Sequence, residues 1–493
     1  MFRTFGYLAA LCLAVFAQAA AAETYYVGPL GATISGTPAG TDALPFDSIQ
    51  AALASGKVKG GDTLLLKDGA YGAIEIKANA AFDVPVTIMS KNAKAAQFDS
   101  ILLYQGTRNL ILRNLSVWPR NPATGSNWLV RGYETSSDIV IDGFDIRSEE
   151  HAADYLQWDA SRWNARGFSG ILLEGPRNKV IRNQLTGIYH GINSAGSNSQ
   201  VIGNIVKGFN GDAMRAASNS VVQYNLVSDC VATDANHDDG FQAFGTTNLV
   251  LDSNVIIEWN GAPDHPLRCQ LEGIGLFDGF YDNLTISNNL VIVSSYHGIS
   301  VLGARRALIV NNTVVNGRGQ TSPYPWMAVH PHKDGTPSTD VLVANNVAMS
   351  FGGAASTTDR VEFRNNSVIG TPSLMFQNPA AFDYRPKATS GYIDSADATV
   401  APPKDVMGQN RPGGALPDRG AYETQVGGTS LNTATLLTQS PETIGTTTTG
   451  SGTTGTTTGT TTTTTTGTTT TGTTTTTTTG GGGPKRIRVQ KSR

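Results

Sequence analysis

Runs of three to five apolar residues, rich in Val, Ile and Leu, recur along most of the chain, and many meet at an Asn. Clear copies are Val180-Ile181-Arg182-Asn183-Gln184-Leu185, Val201-Ile202-Gly203-Asn204-Ile205-Val206 and Val222-Gln223-Tyr224-Asn225-Leu226-Val227. The unit returns around Asn254, Asn289, Asn312, Asn346 and Asn366, with an earlier copy at Ile111 to Val117 around Asn114. From Asn183 onward the successive Asn residues stand 21, 21, 29, 35, 23, 34 and 20 positions apart. A fixed minimum with variable excess predicts a solenoid whose coils carry loop insertions on one side. The runs are too short for helices of period 3.6 and read as strands. Asn suits the bend between two strands, because it tolerates the left-handed region and hydrogen-bonds locally. Stacked coil on coil, its side chains can form a ladder.

The flanks set the boundaries. Tyr25 to Val27, Pro45 to Leu53, and Gly60 to Tyr71 predict a strand, a short helix and a strand, as needed to cap an open solenoid core. Residues 1–22 read as a signal peptide, with Arg3, the apolar run Tyr7 to Phe16, and a small-residue cleavage site ending at Ala19 or Ala22. That run is too short to cross a bilayer, and Cys12 lacks the lipoprotein pattern. The expected location is therefore secreted, periplasmic or at the cell surface, with no transmembrane segment. Residues 23–425 form the expected β-helix domain and 426–493 a disordered tail. Within the tail, Thr446 to Thr479 is almost entirely Thr and Gly, with nothing to bury, and Lys485 to Arg493 is basic. Cys230 and Cys269 remain in the mature chain, as a disulfide or as two buried thiols. A net charge of −3 gives no support for a nucleic-acid partner. The chain is expected to be a monomer.

The opening from Pro45 to Tyr71 resembles the entry to the right-handed parallel β-helix superfamily of pectate-lyase-like proteins. The segment Asp383 to Glu423 is similar to the closing segment of bacterial surface β-helix proteins. The resemblance spans nearly all of 23–423. It implies an all-β, single-domain, right-handed parallel β-helix solenoid, and it leaves function open because that fold hosts lyases, hydrolases, epimerases and inert surface proteins.

A third strand per coil aligns on a small–apolar pair: His190-Gly191-Ile192, Asp212-Ala213-Met214, Asp239-Gly240-Phe241, Glu272-Gly273-Ile274 and His297-Gly298-Ile299. With the apolar member inward, period-two neighbours face outward, and His190, Asp212, Asp239, Glu272 and His297 fall in one column. A second column holds Asn193, Arg215, Gln242, Gly275 and Ser300, with His330 expected in the next coil. At roughly 4.8 Å per coil, the column runs on the order of 20 Å, long enough for several sugars. Long turns at 228–237, 258–271 and 317–327 are expected as groove walls, with Trp259, Tyr296, Tyr324 and Trp326 as stacking surfaces.

The densest stretch is Asn236 to Gln242. Asp212, Asp238, Asp239 and Glu272 supply hard oxygens suited to Ca²⁺. The Asp, Asp-Asp-Gly series resembles the calcium site of one group of β-helix pectate lyases, which implies β-elimination, or C5-epimerisation, of an acidic (uronate) polysaccharide. The base of those lyases is Lys or Arg, and no Lys stands at the matching place. His297, His190 and His237 are the candidate proton carriers, and Arg215 and Arg305 the candidate carboxylate clamps. Gln242, Asn193, Trp259, Tyr296 and His330 are the candidate substrate contacts. Asn210-Gly211-Asp212, Asp238-Asp239, Tyr296-His297-Gly298 and Arg305-Arg306 are also similar to the motif series of polygalacturonase-like inverting hydrolases. In this chain the His motif falls two coils after Asp-Asp and no Arg-x-Lys follows. A non-catalytic polysaccharide-binding surface protein is the third reading.

Overall fold

The computed structural model describes residues 21–121, 127–235, 237–319, 324–353 and 360–438. All but the last two residues of the expected signal peptide lie outside these, as do the Thr/Gly stretch and the basic end.

The chain winds into a right-handed parallel β-helix. One sheet collects the strands that precede each Asn, running from Thr24–Val27 through Lys179–Ile181, Gln200–Ile202 and Val221–Gln223 to Val361–Arg364. The other strands form a branched array. Its stem, Ala96–Leu103, pairs at its start with Ser116–Val117 and at its end with Trp128–Gly132. From there the strands that follow Asn and the third strands diverge into two faces, all paired in parallel. Each face sends one apolar row inward. Val180, Val201 and Val222 come from the first sheet, Leu185, Val206 and Val227 from the second face, and Ile192, Met214 and Phe241 from the third, all essentially inaccessible.

The Asn residues from Asn183 to Asn366 form the expected ladder, one position away from the bend. The left-handed residues are those immediately before them: Arg182, Gly203, Tyr224, Ser253, Asn288, Asn311, Asn345 and Asn365. Asn114 is itself left-handed, with φ 54°, so it occupies the bend position and not the ladder. The ladder Asn side chains turn inward instead. Asn204 Nδ2 donates to Asn225 Oδ1 at 2.9 Å and to the Val180 carbonyl at 2.9 Å, and Asn225 repeats the pattern with Asn254 and Val201. Each buried amide is thereby satisfied, at roughly 1 kcal/mol net per bond.

The amino-terminal cap is the helix Ile49–Ala54, whose N–H of Ala51 is taken by Ser48 Oγ at 3.0 Å, with Ile49, Ala52 and Leu53 buried. The segment after residue 370 bonds to the last coil through Arg419, which donates to Ser367 Oγ and Asn365 Oδ1. It runs back along the second face, where Ile205, Leu226, Val255 and Leu290 would otherwise show apolar side chains to water. Phe376, Tyr384, Tyr392, Met407 and Tyr422 cover them. Fully buried Arg411 pins this segment by donating to the carbonyls of Asp418 and Ala421. The packing continues into the expected tail. Leu431, Leu436 and Leu437 lie on the same cluster, and Lys207 Nζ donates to the Leu437 carbonyl at 3.0 Å. These residues lie before the Thr/Gly stretch and still offer leucines to bury, which is why the packed part extends past 426.

Candidate functional site

The third face places the aligned residues in register. Ile192 pairs with Met214, Arg215 with Gln242, Asp239 with Glu272, and Ile274 with Ile299. His190, Asp212, Asp239, Glu272 and His297 therefore form one row, and Asn193, Arg215, Gln242, Gly275 and Ser300 the next. Close approach of neighbouring coils keeps the residue after each row member small. A Cβ on Gly191 would lie 2.1 Å from the Ala213 carbonyl, and one on Gly273 2.2 Å from that of Gly298. At Gly191 and Gly273 the next coil's backbone comes so close that even a Cβ does not fit. In three of the coils the row member reaches the side chain three positions on. Asp212 pairs with Arg215, Gln242 Nε2 donates to Asp239 Oδ2 at 3.2 Å, and His297 Nδ1 meets Ser300 Oγ at 2.8 Å.

The middle of the row is acidic and desolvated. Asp239 is wholly buried, its Oδ1 and Glu272 Oε2 have no hydrogen-bond partner among the described residues, and neither has Gln242 Oε1. His237 Nδ1 lies 3.8 Å from Asp239 Oδ2 and 4.0 Å from Glu272 Oε2, so the three can offer ligand atoms within 4.8 Å of one another. Burial, then repulsion from Asp212, Glu272 and Asp238, pushes Asp239 well above the usual carboxylate range. Burial likewise raises Glu272. Asp238 is pushed up to about 8 by burial, with Asp212 and Asp234 adding to it.

The histidines at the two ends have lowered pKa values. His190 Nδ1 accepts the Asp212 backbone N–H at 3.0 Å, and burial lowers its pKa. His297 is lowered to about 4, chiefly by burial, with His330 and His237 adding repulsion. Its ring lies between Tyr296, 4.0 Å away, and Phe277, 4.7 Å away. Ser300 Oγ also accepts Trp326 Nε1–H at 3.0 Å, so His297, Ser300 and Trp326 form one chain of contacts. His330 sits opposite Leu302, two residues beyond the Ser300 row, and its ring is 6.4 Å from that of Trp326.

Three expected site residues stand elsewhere. Trp259 is buried against Ala152, Tyr155, Trp158, Trp163 and Val231, because an insertion containing Ala152–Gln157 and Ala160–Ala165 lies over it. It supports a wall and offers no ring to a groove. Arg305 follows the turn at Gly303 onto the first sheet, where it pairs with Asp282 at 3.4 Å and stacks 3.9 Å over Phe280. Asp238 is turned toward Cys230, with Oδ2 3.4 Å from its Sγ, apart from the His237, Asp239 and Glu272 group.

Cys230 and Cys269 form a disulfide, which ties the 228–237 turn to the 258–271 turn. Buried Glu258 braces the second turn by accepting Arg268 Nε at 2.9 Å and the Ser294 N–H at 2.6 Å. Phe244 was not foreseen. It lies 58% exposed two residues beyond Gln242, with the Arg215 guanidinium 5.1 Å from its ring centre. The same period-two step that places Gln242 outward could have found it.

Residues 158–314 match the family model described as "Right handed beta helix region". No curated protein matches the sequence. Among solved structures, the chain is similar to pectate lyase Pel9A at 14% identity, covering 82% of this chain and 96% of that one, with a TM-score of 0.40. It is similar to the GH136 lacto-N-biosidase from Eubacterium ramulus at 12% identity, covering 70% and 68%, with a TM-score of 0.40. It is also similar to the Azotobacter vinelandii mannuronan C-5 epimerase AlgE4 A-module at 16% identity, covering 70% and 96%, with a TM-score of 0.36.

Proposed function

We propose that this chain is an exported, calcium-dependent polysaccharide lyase or C5-epimerase acting on an acidic, uronate-containing polymer. The observation that carries the reading is the pair Asp239 and Glu272, on adjacent coils, whose buried Oδ1 and Oε2 have no hydrogen-bond partner among the described residues. Such oxygens require a proton or a cation, and with His237 and Gln242 beside them the donor set fits a hard divalent ion. The chemistry such an ion supplies is charge neutralisation of the uronate carboxylate, which acidifies the proton on the adjacent carbon.

The chain's own groups do the rest. Arg215 is held by Asp212 while its side chain stays 28% exposed, so its guanidinium can donate to the substrate carboxylate. Burial lowers the His297 pKa to about 4, so its imidazole is neutral at neutral pH. In the tautomer that donates Nδ1–H to Ser300 Oγ, its Nε2 lone pair is free to take the C5 proton. In elimination the C5–H electron pair becomes the C4–C5 double bond, the C4–O bond breaks, and the leaving oxygen is protonated from solvent. In epimerisation a proton returns to C5 from the opposite face. Phe244 and Tyr296 offer exposed rings on which sugars can stack. The Cys230–Cys269 disulfide accords with an oxidising compartment, and no helix among the described residues is long and apolar enough to cross a membrane.

The test uses purified mature protein with pectate, alginate and glycosaminoglycans, each with calcium and with chelator. A chelator-sensitive rise in the unsaturated-uronate absorbance supports elimination. Chelator-sensitive exchange of solvent deuterium into C5 without that rise supports epimerisation. Asp239→Ala should abolish either signal. Reducing ends released without either signal would point to hydrolysis. Retention of polymer with no product at all would point to a binding protein.

A further inference from the structure

The row that holds the acidic centre continues beyond it in both directions. Ser169 is paired with Trp128, and Ile171 with Ile192, which puts Trp128 and Ser169 in line with His190. At the other end His297 is paired with Trp326. Between Trp128 and Trp326 the row reads Ser169, His190, Asp212, Asp239, Glu272, His297, polar throughout from one indole to the other. Seven coil steps at roughly 4.8 Å separate the two indoles by about 34 Å, with Asp239 about 19 Å from Trp128. Trp128 is half-buried, its ring nearly parallel to that of His190 at 14° and 6.1 Å. Beyond it in the same strand, Arg131 makes a two-pronged contact with Glu174 at 2.9 and 3.2 Å, and its guanidinium lies 4.3 Å over Tyr133.

We infer that Trp128 is a distal carbohydrate-binding platform, and that the ligand is one continuous polysaccharide chain laid along the helix axis from Trp128 to Trp326. An indole presents a flat apolar face to the C–H face of a pyranose, while the polar residues between the indoles suit hydroxyl and carboxylate groups. A short sugar engaged at Asp239 cannot reach a ring four coils away, whereas a polymer can. The chain is thus built for binding within long chains. This rests on the proposed function for the chemistry at Asp239, but the platform itself is a statement about binding.

The experiment is affinity electrophoresis of the full chain through gels containing the polyuronate it acts on, or alginate and pectate in turn, with calcium present. Wild type is compared with Trp128→Ala and Trp128→Phe, all checked for equal unfolding temperature. Trp128→Ala should weaken retardation about fivefold or more, and Trp128→Phe should keep most of it. Wild-type binding to oligomers of rising length should gain a step at the length that spans Asp239 to Trp128, and Trp128→Ala should lack that step. Equal retardation of wild type and a folded Trp128→Ala overturns the inference, as does a length series without the step. If the Ala variant does not fold, Trp128→Phe against Trp128→Leu decides by the same criteria. Trp128-dependent binding without turnover keeps the platform and removes the lyase or epimerase reading. Turnover without Trp128 dependence does the reverse.

Discussion

Gly275 lies so close to Asp239 that a Cβ on it would come within 2.3 Å of Asp239 Oδ1, the oxygen with no hydrogen-bond partner among the described residues. The cross-coil neighbour of Gln242 is thus kept bare, and the space it leaves belongs to the carboxylate and its ligand.

Gly275→Ala should therefore act on the site before the fold. The added methyl also meets Phe277 at 2.6 Å, so both the carboxylate and a ring beside His297 must shift. Turnover of the polymer is expected to fall at least about tenfold, while the unfolding midpoint drops by an amount typical of overpacking, about 1–3 kcal/mol. Wild-type turnover in the variant would show that Asp239 Oδ1 is not used.

The acidic centre also fixes a sign for stability against pH. Asp238, Asp239 and Glu272 all have folded pKa values above their unfolded ones, with Asp238 at about 8. A carboxyl of this kind contributes stability that is complete below its unfolded pKa, near 4, and lost as pH rises through the folded value. In chelator, the melting temperature should fall between about pH 5 and pH 8. Calcium should restore it, and Asp239→Asn should flatten the fall and abolish the calcium response. A melting temperature that rises across that window in chelator would contradict the desolvated cluster.

With calcium saturating, so that Asp239 and Glu272 stay ionised, His297 is expected to set the acid limb of activity. Burial holds its folded pKa at about 4, so the free enzyme keeps a neutral imidazole down to that pH, and kcat/KM should decline only as pH approaches it. His297→Gln should lower turnover by about 10²–10⁴-fold. Ser300→Ala removes the contact that orients the ring and should cost less than the loss of His297. An acid limb near the ordinary His value of 6.5 would assign the proton transfer to another group.

Reduction of Cys230–Cys269 should loosen the walls without unwinding the coils. The bond joins residues 39 apart, and its loss is expected to cost about 2–4 kcal/mol, read as a lower melting temperature in a thiol reductant or in Cys230→Ser/Cys269→Ser. Because Asp238 lies against Cys230, the pH dependence of stability should change with it. An unchanged melting temperature would mean that the two turns are held by Glu258 and its partners alone.

Much of this was readable in the sequence because a solenoid maps sequence spacing directly onto space. The small–apolar pair aligned five coils, and the register agrees at every step from Ile192 to Ser300. The Asn repeat was visible, but not which residue takes the left-handed bend. Asn serves both as a bend residue and as a buried ladder residue, and only φ separates Asn114 from Asn183. Trp259 and Arg305 were misplaced for different reasons. The helical insertion that buries Trp259 has no repeat to align it, and the turn at Gly303 moves Arg305 onto another sheet while leaving it close in sequence. The partial burial that holds His297 at about 4 depends on Phe277, Tyr296 and Trp326 converging from three coils, which no single strand displays.

The returning carboxyl-terminal segment changes how the coils depend on one another. In an ordinary solenoid each repeat touches only its neighbours, so the ends can fray independently of the middle. Here Lys207 is joined to Leu437, Arg411 to Asn288, Asn345 to Asp397 and Asn365 to the Ser395 carbonyl, so one strap binds coils that never meet. A coil at the carboxyl-terminal end cannot peel away without also stripping the strap from the coil that holds Lys207. The array is thereby converted from a stack of semi-independent units into a single cooperative body.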